Sequence, residues 1–177
     1  MASFFTIILG LVIFLAVAFV LINVYLEFLG APFVPTFNNL DEIFKKAKLK
    51  KGQVFMDLGS GDGRVVRKAV KNYGVYGIGI EINPYLVVYA NLAAKLENLT
   101  NIQFKRQSLF EVDLEKADII FVFLKPNMLK KLAPKLTKCK KGSLIIAQGF
   151  QIPGWDKYLV DKIERKVFST YFYKTQV

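Results

Sequence analysis

The stretch Val54-Phe-Met-Asp-Leu-Gly-Ser-Gly-Asp-Gly-Arg64 decides how this chain folds. Its first five residues are apolar except for Asp57, and they predict a short buried strand. Gly59, Gly61 and Gly63 follow at alternate positions. Glycine lets the backbone turn sharply and approach a ligand without a Cβ clash. The stretch therefore predicts a strand, a tight turn and a helix whose N-terminus offers free N–H groups.

The spacing of these glycines separates two kinds of ligand. The dinucleotide fingerprint is G-x-G-x-x-G, and its third glycine would fall at Arg64. The observed G-x-G-x-G instead matches the first motif of S-adenosylmethionine (SAM) binding domains. Asp57 precedes the first glycine by two positions, where a carboxylate suits the cationic amino end of SAM better than a pyrophosphate. The alternative is that Asp57 only caps the turn.

Strands and helices alternate on the C-terminal side of this stretch. The alternation predicts an α/β fold, a Rossmann-like, doubly wound, mostly parallel seven-stranded sheet with helices on both faces. The last two strands have no room for a crossover helix, so we expect an antiparallel C-terminal hairpin. The predicted strands are Val54–Leu58, Val75–Ile82, Ile102–Gln107, Asp118–Leu124, Gly142–Phe150, Leu159–Val167 and Ser169–Thr175, and the predicted helices are Asp62–Tyr73, Asn83–Glu97 and Asn127–Leu136.

Two further strand ends supply candidate ligand contacts. Glu81 ends the second predicted strand, where an acid accepts hydrogen bonds from ribose hydroxyls in doubly wound folds. That position serves NAD and SAM alike, so it indicates a ribose but does not choose the cofactor. After the third strand, many class I methyltransferases have an aspartate that meets the adenine amino group. This chain has Ser108 there, so we expect a weaker adenine contact from Ser108 or from the adjacent backbone at Leu109.

The methyl acceptor is expected at the end of the fourth strand, because ligands bind at the carboxyl ends of such sheets. Lys125 and Pro126 lie there, and Tyr85 follows the second strand. The chain has no histidine, which excludes histidine triads and histidine metal sites, and we predict no metal. We find no convincing general base, and transfer to a neutral amine needs little beyond alignment. Aromatic walls would favour the neutral amine; the candidates, each more often a packing residue, are Tyr85, Tyr89, Phe33 and Trp155.

The N-terminus has a different composition from the rest of the chain. No charged residue occurs from Met1 through Leu26, and the apolar run is long enough to cross a bilayer. A cleaved signal peptide or a buried core helix are the alternatives, and a basic n-region is missing. We predict a transmembrane anchor at 1–27, a linker and pre-domain helix at 28–50, and a SAM-dependent methyltransferase domain at 51–177.

Charge predicts the orientation and the class of partner. All lysines and arginines follow the apolar run, so we expect a single-pass protein with its N-terminus outside and its domain on the cytoplasmic side. The net charge of +11 favours an anionic partner, which could be lipid headgroups, nucleic acid or an acidic protein. Because no strip of interleaved basic and aromatic residues is present, nucleic acid is the less favoured partner.

The chain resembles the membrane-anchored, class I (seven-β-strand) protein-lysine methyltransferases that modify the mitochondrial ATP synthase c-subunit and the adenine nucleotide translocase. The resemblance runs over nearly the whole chain, although Ser108 replaces the family's acid. It rests on the apolar N-terminus and on Pro32–Thr36, Asp57–Arg64, Glu81–Tyr89, Pro126 with Met128, and Trp155.

The resemblance implies SAM-dependent N-methylation of a lysine in a membrane-associated protein, with the membrane lipid contacted by the N-terminal helix and the basic surface. Thr36 would lie near the cofactor or the incoming lysine. A lipid, quinone or RNA acceptor and a non-catalytic SAM-binding membrane protein remain as alternatives. By motif match the cofactor would contact Asp57, Gly59, Gly61 and Glu81, with Asp62 and Asn83 as additions. Ser60 and Gly63 of the same turn complete the predicted cofactor-binding set.

Overall fold

The computed structural model describes residues 2–28 and 39–175. Contacts divide the chain into two compact units, Met1–Val34 and Pro35–Val177. The predicted substrate-side residue Thr36, together with Phe33 and the rest of Pro32–Thr36, lies outside the described residues. The predicted boundaries at residues 28 and 51 stay predictions.

The first unit contains one long helix, α1 (Ala2–Phe28). Its segment Phe4–Ile22 has 19 residues and a mean hydropathy of 3.2, and none of it is buried within the protein. A helix of about 20 apolar residues spans the hydrocarbon layer of a bilayer. By length and composition α1 can serve as a membrane anchor, and a signal sequence would have the same properties.

The second unit is built on a seven-stranded sheet in the order β3-β2-β1-β4-β5-β7-β6. The first five strands in this order are parallel, whereas β7 pairs antiparallel with both β5 and β6. This confirms the predicted mixed seven-stranded sheet with its antiparallel C-terminal strands. The strands are β1 (Val54–Leu58), β2 (Tyr76–Glu81), β3 (Ile102–Arg106), β4 (Ile119–Val122), β5 (Leu144–Gly149), β6 (Leu159–Ile163) and β7 (Ser169–Lys174).

Helices cover both faces of the sheet and create two hydrophobic layers. One layer joins α2, α3 and α4 to the sheet and includes Phe44 and Phe55. The other joins α5 to the sheet and includes Leu129 and Ile145. The helices are α2 (Leu40–Lys46), α3 (Arg64–Tyr73), α4 (Pro84–Leu96) and α5 (Pro126–Leu136), with a short 3-10 helix at Asp156–Tyr158.

The strand order places a crevice at the carboxyl end of β1. The chain leaves β1 toward β2 on one side, and β4 later inserts on the other side. In open α/β sheets this switch point is where ligands bind. The glycine turn after β1 lies at this point.

The C-terminal hairpin differs from the sequence prediction in one respect. The structure ends β6 at Ile163 rather than at Val167, so residues 164–168 connect the two strands. The pairing of β6 with β7 shifts register between Leu159 and Asp161. The backbone N–H of Arg165 donates to the Ser169 hydroxyl over 3.2 Å, which closes a turn where a continued strand was expected.

Candidate functional site

The turn between β1 and α3 is held against β2 by backbone hydrogen bonds. The N–H groups of Gly59 and Ser60 both donate to the carbonyl of Ile80, at 2.8 and 2.9 Å. The N–H of Gly63 donates to the Ser60 carbonyl at 2.9 Å and closes the turn before α3. The turn therefore has a fixed position at the carboxyl end of β1.

The three glycines of the turn have different roles, which the sequence alone did not separate. All three have positive φ angles, the conformation that favours glycine. A Cβ on Gly63 would lie 2.4 Å from Phe104 and 2.9 Å from Ala90, so Gly63 is required by packing. A Cβ on Gly61 would meet nothing within 4 Å, so open space lies above this residue.

Glu81 connects the turn to the start of α4. Its Oε2 accepts a hydrogen bond from the Gly61 N–H and its Oε1 accepts one from the Asn83 N–H, both at 2.9 Å. The residue is 8% exposed. Two backbone donors fix the orientation of the carboxylate, and each oxygen keeps a lone pair that can accept a further bond.

Asp57 places a second carboxylate in the crevice. It is 3% exposed, and no group in residues 39–175 donates a hydrogen bond to it. Desolvation by burial, reinforced by the negative charges of Glu81 and Asp62, raises the pKa of the Asp57 carboxyl well above its ordinary value. A buried carboxyl group that receives no hydrogen bond from residues 39–175 and lies beside other acids has the chemistry to bind a cationic ligand.

Asp62 already has a partner within the protein. Its carboxylate accepts hydrogen bonds from the Arg64 side chain at 2.7 and 2.9 Å and from the Arg64 backbone N–H at 3.1 Å. Burial raises the pKa of Asp62, but the hydrogen bonds and charge of Arg64 outweigh it and leave the pKa below the usual value. Asp62 is thus ionised and less available to a ligand than Asp57 or Glu81.

Asn83 and Ser108 shape the neighbouring loops. The Asn83 side-chain oxygen accepts the Tyr85 N–H at 2.9 Å and caps α4, as its Asn-Pro sequence predicts. The Ser108 hydroxyl oxygen accepts the Phe110 N–H at 3.3 Å. Ser108 and Leu109 are half-buried in the loop after β3, on the same sheet edge as Glu81.

The predicted substrate-side residues lie at two helix starts. Lys125 is the N-cap of α5, Pro126 is its first residue, and both are exposed. Tyr85 lies in the first turn of α4 and is 83% exposed. Trp155 is 4% exposed and packs edge-on against Tyr173, so it belongs to the core rather than to an aromatic wall of the site.

The structure adds two apolar side chains that the sequence analysis missed. Ile82 was expected inside a buried strand, yet it follows the end of β2 and is 52% exposed beside Glu81. Leu124 lies 3.3 Å from where a Cβ on Gly59 would be and packs under the turn. Asn83-Pro84, which ends the strand, is the sequence signal that could have predicted the exposure of Ile82. No sequence signal indicated that Leu124 packs under the turn.

Comparison with known proteins identifies the family. The family model described as the ANTKMT methyltransferase domain matches residues 57–158, which include the glycine turn, Glu81 and the start of α5. The chain belongs to this methyltransferase family. It is a SAM-dependent methyltransferase.

Curated relatives of this methyltransferase are named for protein-lysine methylation. A protein-lysine N-methyltransferase from Saccharolobus islandicus is 32% identical over 137 residues, which cover 75% of this chain and 85% of the relative. The ATP synthase c-subunit lysine N-methyltransferase of Xenopus laevis is 32% identical, with 82% of this chain and 65% of the relative covered. The human protein of the same name is covered over 54% of its length.

Solved structures share the fold of this methyltransferase. An RNA methyltransferase from Salinibacter ruber, in complex with S-adenosyl-L-homocysteine, is 30% identical with a TM-score of 0.76, and the match covers 81% of this chain and 94% of that one. A SAM-dependent methyltransferase from Thiobacillus denitrificans, also with S-adenosyl-L-homocysteine, is 21% identical with a TM-score of 0.57, over 64% of this chain and 48% of that one. The second likeness concerns the fold alone.

Proposed function

We propose that this methyltransferase transfers the methyl group of SAM to the ε-amino group of a lysine in a membrane-associated protein. The observation that carries the cofactor part is the buried Asp57 carboxyl group, which lacks a hydrogen-bond donor within residues 39–175 and lies beside Glu81 under the open turn. The lysine part is supported by the names of the Saccharolobus islandicus and Xenopus laevis relatives.

The residues of the crevice fit SAM. Asp57 offers its carboxylate to the α-ammonium group, and Glu81 offers its remaining lone pairs to the ribose hydroxyls. Gly59, Ser60 and Gly61 line the turn, and Ile82 provides an exposed apolar surface next to Glu81. Ser108 and Leu109 lie on the adenine side, while Gly63, Asp62 and Asn83 support the turn from within the protein.

The chemistry requires little more from the protein than alignment and a neutral amine. Bound SAM supplies a methyl group on a positively charged sulfur. The acceptor nitrogen must hold a free lone pair, and a lysine ammonium has none until it loses a proton. Tyr85 and Tyr89 are exposed near the start of α4 and can surround the amine with apolar surface, which favours its neutral form. Lys125 and Pro126 border the acceptor side at α5.

The membrane part of the proposal rests on α1. Its segment Phe4–Ile22 has the length and hydropathy of a membrane span, and every lysine and arginine follows it. The proposal places the N-terminus outside and the catalytic domain on the cytoplasmic side. Acceptor lysines of a membrane protein would then be within reach of the tethered domain.

Labelling with methyl-tritiated SAM tests the acceptor. The full chain is incubated with membranes, and the product is divided among protease digestion, nuclease digestion and organic extraction. Proteinaceous label that yields methyllysine after acid hydrolysis supports the proposal. The Asp57→Ala/Glu81→Ala double variant should give no label, whereas Glu115→Gln, a change at an exposed acid outside the crevice, should label normally.

RNA is the second candidate acceptor, because a related structure is described as an RNA methyltransferase and because exposed lysines cluster on one surface. The Salinibacter ruber relative is described as an RNA methyltransferase. Exposed lysines also cluster on α5 and in the loop after it, including Lys130, Lys138 and Lys141. Label that nuclease removes, and protease does not, would favour RNA and contradict the lysine proposal.

A further inference from the structure

Helix α4 reverses the usual distribution of large and small apolar residues. The residues it buries against the sheet include the small Ala90 and Ala94. Its exposed face carries large apolar side chains. A surface helix of a globular protein normally turns its large apolar side chains inward. The exposed set, here called the α4 stripe, comprises Tyr85 (83% exposed), Val88 (68%), Tyr89 (54%), Leu92 (55%) and Leu96 (75%).

The α4 stripe is continuous along one side of the helix. At 3.6 residues per turn its five positions fall within an arc of about 100° and extend for about 16 Å. This is the arc width that a helix normally buries in a core. Ile82, exposed just before the helix, continues the apolar surface to the edge of the cofactor crevice.

Basic side chains border the α4 stripe. Lys95 is exposed and lies next to the stripe by helical spacing. Arg106 is also exposed and ends β3. Because side chains alternate along a strand, Arg106 lies on the same sheet face as Phe104. The Phe104 ring and Ala90 of α4 both lie close to Gly63. Within residues 39–175 neither Lys95 nor Arg106 takes part in an ion pair, whereas the nearby Glu97 is held by Arg67 at 2.8 Å.

An apolar helix face with basic neighbours has the chemistry of a helix that lies in a membrane interface. Such helices bury the apolar face at the boundary of headgroups and acyl chains, while lysine and arginine meet anionic headgroups. A protein partner would need both an apolar groove and an acidic rim to match the stripe, whereas an anionic bilayer presents apolar chains and negative headgroups together. Charge complementarity therefore favours lipid.

The chain length agrees with this occupant. Ten residues, 29–38, separate α1 from the first described residue of the domain. A chain of that length reaches at most about 40 Å, whatever its conformation. If α1 spans the bilayer, this connection keeps the start of the domain within about 40 Å of the membrane surface.

We propose that the α4 stripe docks this methyltransferase onto the surface of an anionic lipid bilayer. Because Tyr85 and Ile82 lie at the cofactor end of the stripe, docking holds the mouth of the crevice at the level of the headgroups. Lysines of a membrane protein that lie at the level of the headgroups are then accessible as methyl acceptors. Only this step rests on the proposed function. The docking itself does not depend on the acceptor, so it can be tested without measuring methyl transfer.

Spin labels on single engineered cysteines test the docking in the full chain. The native Cys139 is buried, and burial raises its pKa to about 12, so it reacts slowly at neutral pH. The test position is Val88→Cys on the stripe. The matched control is Val160→Cys, a valine of similar exposure (58%) on β6, the opposite edge strand of the sheet.

The chain is reconstituted in vesicles of phosphatidylcholine and phosphatidylglycerol, and each label's collisions with oxygen and with a polar nickel complex are measured. Oxygen concentrates in lipid and the nickel complex in water, so the proposal expects a severalfold higher oxygen-to-nickel ratio at position 88 than at 160. Equal, water-like ratios would overturn it. Protection of position 88 from both reagents would mean that protein covers the stripe, and would also overturn it.

Two variations test the parts of the proposal. In vesicles of phosphatidylcholine alone the ratio at position 88 should fall, and an unchanged ratio would refute the role of the basic side chains. A label at Leu96→Cys should lose lipid contact when Val88→Asp and Leu92→Asp are added. Because all three side chains are exposed, these changes leave the core intact, and thermal unfolding checks this.

Discussion

At the scale of single residues, Asp57 has opposite effects on stability and on ligand binding. Its carboxyl group is buried without a hydrogen-bond donor from residues 39–175, so its ionisation in the free protein is unfavourable. The same absence of a donor leaves the group available to a cationic ligand. Functional sites often retain such locally unfavourable groups.

Replacing Asp57 by asparagine should stabilise the ligand-free protein near neutral pH and weaken SAM binding. The folded-state pKa of Asp57 is raised, so its contribution to stability falls as pH rises from the unfolded pKa through the folded one. The asparagine side chain does not ionise, so the gain in Tm of the variant over the parent should become smaller at acidic pH. In a chain of this size, a change of 1 kcal/mol in the free energy of unfolding shifts Tm by about 2–4 °C. Calorimetry at several pH values measures this, with Glu115→Gln as the control. A neutral or negative change in Tm at pH 7 would contradict the burial argument.

The affinity for SAM should depend on pH through the same group. Below its raised pKa, Asp57 is neutral and offers no charge to the ammonium group of the ligand, so the Kd should increase as pH falls. Loss of a charge-assisted hydrogen bond of roughly 1.5–3 kcal/mol weakens binding by about tenfold or more. Asp57→Asn should bind SAM weakly, and its Kd should change little over the pH range in which Asp57 titrates. Titration calorimetry measures the Kd for SAM at each pH. If the variant kept the parent's dependence of Kd on pH, that dependence would belong to another group.

Gly61 and Gly63 form a matched pair, because both have positive φ angles but only Gly63 is packed. Gly63→Ala should cost roughly 2–5 kcal/mol, from backbone strain together with overlap on Phe104. Gly61→Ala should cost roughly 1–2 kcal/mol from strain alone, since its Cβ enters open space. If the ligand occupies that space, Gly61→Ala should also lose SAM affinity. Denaturant unfolding and SAM titration of both variants test whether Gly63→Ala loses more stability than Gly61→Ala. Similar stabilities of the two variants would contradict this order.

At the scale of elements, the start of α4 depends on one side chain. The Asn83 oxygen accepts the Tyr85 N–H, which otherwise has no intrahelical partner. Asn83→Ala should therefore cost about 1 kcal/mol, while Asn83→Asp, which keeps the acceptor oxygen, should cost less in this respect. The aspartate variant also adds a negative charge beside Glu81, so its Tm is best compared at high salt. Equal losses in both variants would mean that the cap contributes little.

The elements show which features the sequence could predict. Strand-helix alternation and the glycine turn specified a mostly parallel sheet and placed Asp57 and Glu81 at strand ends, because short-range patterns determine those features. Trp155 and Leu124 could not be placed, since packing across elements decides whether an apolar side chain lines a site or a core. The α4 stripe was also missed: periodicity gives the faces of a helix but not which face meets the sheet.

At the scale of the whole molecule, opposite charges are separated. The chain carries a net charge of +11, yet the crevice at the carboxyl end of β1 and β2 gathers three acids, Asp57, Asp62 and Glu81. The acidic crevice suits a cationic cofactor, while the basic exterior suits an anionic surface. A lysine acceptor, as proposed, would reach the cofactor as an ammonium ion and would have to lose a proton before it could accept the methyl group.

If the acceptor is a lysine, as proposed, the pH dependence of methyl transfer should follow the ionisation of its amine. An ordinary lysine has a pKa of about 10.4, so the neutral fraction, and with it kcat/KM for the acceptor, should rise by about tenfold per pH unit between pH 7 and 9. The chain has no histidine that could impose a bend near neutrality. Rates at saturating SAM, measured on the acceptor protein found by labelling, test this. A plateau near pH 7 would show that the site lowers the amine's pKa, and Tyr85→Ala should then restore the slope if the exposed aromatic side chains of α4 are the cause.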